Sequence, residues 1–144
     1  MNTLNAYLDF VNQYNLPPYT LKSKGNNYAS ISGCMGSRHT ATYKHEIQFR
    51  QEVEGIDIVT VKFKLHTFPE KKQISAAVLA NDLNSYPTVY TCFANKMDRT
   101  ISMSYQFLIY SNKFDPRDIF EIVASGIDAL HTFRFVELIQ NSLE

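Results

Sequence analysis

The sequence predicts an α+β fold. One domain over residues 1–144 forms a twisted antiparallel sheet of about five strands with helices packed on one side, in the order α-β-β-β-α-β-β-α. Three observations predict it. Two neighbouring segments alternate apolar and polar residues with period two, as strands with one covered and one wet face do. Other segments repeat apolar residues at helical spacing. The length, 144 residues, suffices for one core that buries about two-thirds of the surface the unfolded chain exposes.

Leu4, Leu8 and Val11 recur at helical spacing with Tyr7 and Phe10 beside them, and Asn15 followed by Pro17 and Pro18 stops the pattern, so a first helix is expected over residues 3–14. Residues 20–35 mix β-branched and aromatic side chains around Gly25, Asn26 and Asn27, a cluster able to supply positive φ, and read as a loose hairpin. Residues 33–40 are small and polar enough for a flexible loop or a bulged strand end. From Tyr43 the period becomes two: Ile47, Phe49 and Val53 share one face, and Glu46, Gln48, Arg50 and Glu52 the other. Glu54 and Gly55 make a turn, after which Val59, Val61, Phe63 and Leu65 alternate with Thr60, Lys62, Lys64 and His66.

Pro69 with Glu70, Lys71 and Lys72 interrupts the strands, and Ala76, Leu79, Ala80 and Leu83 then mark a second helix ending near Asn84. Two further strands are expected over residues 88–95 and 100–110, joined by a short loop through Lys96, Met97, Asp98 and Arg99. On the second of them Ile101, Met103, Tyr105, Phe107 and Ile109 share a face. Asp115 is placed to cap a last helix, with Pro116 at its first position and Asp118 near the positive end of its dipole. The apolar stripe of that helix runs through Ile119, Val123, Ile127 and Leu130 and continues less cleanly through Phe133, Val136 and Leu138, too apolar at its far end for one buried face.

Composition narrows the function. Lys plus Arg equals Asp plus Glu at 14 each, so no overall positive field draws the chain onto nucleic acid or anionic lipid. No apolar run approaches the roughly 18 residues of a membrane-spanning helix, and residues 1–14 lack the basic and apolar regions of a secretory leader. Cys34 and Cys92 lack metal-knuckle spacing and suit reduced thiols. A soluble, cytoplasmic protein is the expectation, with no membrane and no nucleic-acid partner.

The residues offer little chemistry. His39, His45, His66 and His131 form no zinc motif; His45 and His66 lie on strands expected to pair, but exposed strand histidines account for them better than a shared ligand role. Cys34, flanked by Gly33 and Gly36 and followed by Arg38 and His39, is the one cysteine whose neighbours suit a lowered thiol pKa, so a small thiol enzyme centred on Cys34 and His39 is one alternative. Lys62, Lys64, Lys71 and Lys72 form the one basic cluster, either a solvated strand face or a weak RNA-binding surface. Residues 33–36 lack the trailing Gly-Lys-Ser/Thr of a phosphate loop. No catalytic residue, cofactor or metal is expected.

The segment Leu79-Ala80-Asn81-Asp82-Leu83-Asn84, the two strands after it and the helix opening at Phe114-Asp115-Pro116 carry a resemblance. Residues 74–130 resemble the YbjN family of bacterial sensory transduction regulator-like domains, which share the fold of type III secretion chaperones. Asn81 and Asn84 match that family's Asn-x-x-Asn or Asn-x-Leu-Asn element, and Val89-Tyr90 its strand start; residues 33–40 have no counterpart. Physically, Asn84 suits a left-handed C-cap and Asn81 a hydrogen bond to backbone at the helix-to-strand corner. The resemblance implies a non-enzymatic domain, often dimeric, that binds or escorts a protein partner. The expected partner surface is the outward side of strand 100–110 with the C-terminal helix, namely Tyr105, Phe107, Phe133, Phe135 and Leu138, residues that would otherwise complete the core or a homodimer interface.

Overall fold

The structure is a computed structural model that describes residues 2–36 and 42–143. Helix α1 (Asn2–Gln13) precedes four strands, β1 (Thr20–Lys24), β2 (Tyr28–Gly36), β3 (Thr42–Val53) and β4 (Ile56–Thr67). After α2 (Gln73–Leu83) come β5 (Thr91–Asn95) and β6 (Thr100–Tyr110), then α3 (Pro116–Phe133) and α4 (Phe135–Leu143). All six strands pair antiparallel in one open sheet, in the order β1-β2-β3-β4-β6-β5. The α+β class and the antiparallel sheet are as expected. The strand count is six rather than about five, because the loose hairpin over residues 20–35 is two strands, the second of them nine residues long.

The period-two pattern explains the layering. Ile31, Ile47, Phe49, Val59, Val61, Phe63, Ile101 and Met103 are all within about 1% of complete burial and lie on the face the helices cover. Helix α1 contributes Leu4, Tyr7 and Val11 to that core, and α3 contributes Ile119, Val123, Ile127 and Leu130. At Gly126 the helix comes so close to the sheet that a Cβ would lie 2.6 Å from the Phe63 ring and 2.9 Å from that of Tyr90, so only glycine allows this approach. The alternation fails at one strand end: the pairing register shifts between Gln51 and Val53, and Val53 is exposed instead of joining Ile47 and Phe49.

The helix ends follow local chemistry. The Asp115 side chain accepts the Arg117 N–H at 3.0 Å ahead of Pro116, the expected cap. The last helix is two helices. Arg134 adopts a left-handed conformation (φ 53°, ψ 45°) that ends α3 and turns the chain, so Phe135, Ile139 and Leu143 of α4 form a separate buried stripe. This resolves the apolar excess of residues 133–143: one straight helix could not bury both stripes, two short ones do. Asn84 is also not as expected, for its backbone is right-handed (φ −71°), and its side chain instead reaches the corner strand.

Candidate functional site: the open face of the sheet

The polar groups of the covered face are matched with one another. Helix α1 brings Tyr7 over the sheet, the segment after Pro18 brings Tyr19, and β3 brings His45, forming a chain of hydrogen bonds: Tyr7 Oη to Tyr19 Oη at 2.9 Å and Tyr19 Oη to His45 Nε2 at 2.6 Å. His45 Nδ1 lies 3.4 Å from the Tyr43 carbonyl, which only accepts, so Nδ1 carries the proton and the bare Nε2 accepts from Tyr19. Burial holds His45 below its ordinary pKa, the backbone bond opposing, and pushes Tyr7 up to about 12 and Tyr19 higher still. The Tyr19 ring lies where a Cβ on Gly33 would sit, 2.8 Å away. Thr3 donates to the buried Asp57 carboxylate, and Tyr90 Oη donates to the Ile122 carbonyl at 2.6 Å. These hydrogen bonds hold the rings of the covered face in place.

His45 was expected on an exposed strand face and is instead buried, 2% accessible, its ring tilted against that of Phe63 at 5.5 Å. It does not meet His66, which pairs opposite Ile101 past a register shift. The signal was in the sequence: two residues before Ile47 is His45, on the same side of a strand. Cys34 lies in β2 on the opposite face, exposed and paired across from Lys44, while His39 lies outside the described residues. Cys92 is buried, and burial raises its thiol to about 11, away from reactivity.

The five residues expected to meet a partner divide. Phe135 is fully buried in the core, and Phe133 stacks on it at 5.9 Å with Tyr86 beside both, so the C-terminal helix spends this surface internally. Leu138 is half-buried against the same cluster. Tyr105 and Phe107 stack on each other at 5.6 Å on the helix-covered side, not the outward one, and both pack on the core; Tyr105 also borders a shallow groove with Val89 and Ile122.

The edges of the sheet differ. At β5 the Asn84 amide donates to the Cys92 carbonyl at 2.9 Å and its oxygen accepts the Cys92 N–H at 2.6 Å, so a side chain takes the place of a neighbouring strand. This is the corner contact expected of Asn81. At the other edge β1 is five residues long, exposed throughout, carries Lys22 and Lys24, and is broken by a register shift between Leu21 and Ser23. Short length, lysines and a bulge all oppose strand addition there.

What remains is the open face, where two unlike ends meet. At one end Ile58 pairs across from Leu108, Ile56 from Tyr110, and Val53 from Ile56. Val53, Leu108 and Tyr110 are 60%, 52% and 51% exposed, a contiguous apolar corner over three strands, with the ion pair of Arg50 and Glu52 (3.1 Å) at its rim. At the other end Lys22, Lys44, Lys62 and Lys64, with Ser32 and Glu46, line a shallow cavity of about 150 Å3. Among the described residues no helix is long and apolar enough to cross a membrane. Neither the models of known protein families nor the curated proteins contain a match to this sequence.

Proposed function

We propose that the protein is a non-enzymatic protein-binding domain of the YbjN type, with a secretion-chaperone-like fold, whose open sheet face docks a second copy of the chain through its apolar corner. The observation that carries this reading is the half-exposure of Leu108 and Tyr110 beside Ile58, Ile56 and Val53, because such side chains gain about 25 cal/mol for each Å2 of apolar surface they remove from water. The rim favours a copy of the same chain. Arg50 and Glu52 carry opposite charges side by side, so a two-fold contact sets each arginine against the other copy's glutamate. The resemblance over residues 74–130 supports the same conclusion, since it implies a binding domain that is often dimeric. A bacterial, cytoplasmic setting belongs to this reading.

Analytical ultracentrifugation of the wild type and of Leu108→Glu/Tyr110→Glu tests it. The wild type is expected to sediment as a concentration-dependent dimer and the variant as a folded monomer. A wild type that stays monomeric at every concentration reached, or a variant that dimerises equally well, ends the self-docking reading. Capture of a heterologous partner that the variant loses would move the same surface to that partner.

A further inference from the structure

The lysine end of the open face carries charge that the fold does not use. Four lysines and one glutamate line the cavity, a surplus of three positive charges in a chain whose total is balanced. Glu46, the single carboxylate of the lining, is already engaged: it accepts from Ser30 Oγ at 2.8 Å and Gln48 Nε2 at 3.0 Å, and its other oxygen lies 3.8 Å from Lys22. Lys64 has Asp98 at 3.9 Å, and the Lys62 ammonium sits 5.5 Å over the Phe93 ring. Among the described residues no carboxylate lies within ion-pair distance of Lys44. One rung away, opposite Lys64 and Phe93, the Ser102 hydroxyl is buried without a hydrogen-bond partner. The register sets Lys62 directly opposite Glu46 and Lys44 opposite the uncharged Cys34, so Lys44 is left without a charged partner across the sheet.

We propose that this cavity binds a phosphate group, as inorganic phosphate or as the monoester of a small molecule. A dianion neutralises most of the surplus charge, lysine ammoniums act on phosphate as point charges, and the Ser32 hydroxyl supplies a neutral donor. The recess takes one such group. Toward Ile58 and Leu108 the face turns apolar, which breaks a track for a nucleic-acid backbone in that direction, and a chain without net charge gathers no polyanion at long range. The site is independent of the apolar corner, which lies at the other end of the same strands.

The test is an amide-shift titration of the full chain with inorganic phosphate and with glycerol phosphate, each against sodium chloride at matched ionic strength, repeated on Lys44→Gln and on Lys44→Gln/Lys62→Gln. Expected are saturable shifts in the millimolar range, confined to Ser32, Lys44, Glu46 and Lys62, weakened about tenfold in the double variant. Lys44→Gln alone should melt no lower than the wild type without phosphate, because Lys44 has no ion pair to lose, and should lose part of the phosphate-dependent rise in melting temperature. Cys34, which shares a neighbouring groove with Lys22, Ser32 and Lys44, gives a second readout: phosphate should slow its labelling by an anionic thiol reagent. The proposal is overturned by shifts that sodium chloride reproduces, by equal binding in the double variant, or by a response to heparin or an RNA oligonucleotide with none to phosphate. Response to glycerol phosphate but not inorganic phosphate assigns the site to monoesters.

Discussion

The two faces of the sheet are built from the same strands and do opposite things with polar groups. On the covered face, each buried polar side chain named above has a specific partner: Tyr7 with Tyr19, Tyr19 with His45, Thr3 with Asp57 and Tyr90 with Ile122. On the open face the lysines of the cavity outnumber its carboxylates and an apolar corner stands half-exposed, so part of its charge and apolar surface is left unmatched within the chain. A buried donor must be paired inside the fold because water cannot reach it, whereas a surface group left unmatched costs little and remains free to meet a ligand. The covered face therefore carries the stability, and the open face carries the proposed contacts.

Substitution of one residue on each face breaks this contrast most forcefully. Phe63 is 1% exposed and touches His45, Tyr90 and the Gly126 approach, so Phe63→Ala should lower the unfolding free energy by about 3–5 kcal/mol. Thr60, three residues away on the open face, should change it by no more than about 0.5 kcal/mol when replaced by alanine. Urea unfolding of the two variants measures both. Similar losses would mean that the open face is packed in solution against something that buries it.

The alternation that separates the faces was readable from Ile47, Phe49, Val59, Val61 and Phe63, because a period of two needs only neighbouring residues to be seen. The Asp115 and Pro116 helix start was readable for the same reason. Three features escaped, and each depends on geometry that no local pattern carries. Val53 leaves the buried row because of a register shift against β4. The break at Arg134 falls on a residue with no turn signature, held left-handed by the packing of Phe133 and Phe135 around Tyr86. The lysine cavity joins Lys22 and Lys44 to Lys62 and Lys64 from three strands, so only the register reveals it, whereas Lys71 and Lys72, adjacent in sequence, lie in a separate helical turn. Of the site, Lys62 and Lys64 were visible and their companions were not.

A smaller effect separates the faces by pH. Burial lowers the His45 pKa in the folded protein, while in the unfolded chain it titrates near its ordinary 6.5. As pH falls through that value the unfolded state takes up a proton that the folded state refuses, so stability drops until the folded pKa is reached and then levels off. The contribution is fully present above the unfolded pKa. Unfolding of the wild type and of His45→Gln across this range should show a slope in the difference only below neutrality. A flat difference would place His45 in contact with water and dissolve the claim that the covered face is sealed. Substitutions on the open face should leave that slope unchanged.

The smallest expected change in stability belongs to the rim of the apolar corner, where it discriminates most finely. Arg50 and Glu52 are both more than half exposed, so breaking their ion pair within one chain should cost no more than about 0.5 kcal/mol. Their value lies in a contact between copies. Arg50→Glu should weaken self-association by placing like charges across the two-fold axis, and Glu52→Arg should do the same. Mixed together, the two variants restore opposite charges at both crossings and should form a heterodimer tighter than either variant alone. Sedimentation of the mixture reads this directly. If each variant associates as well as the wild type, or if mixing restores nothing, the two copies do not meet with Arg50 against Glu52, and the two-fold arrangement is wrong even where the apolar corner is right.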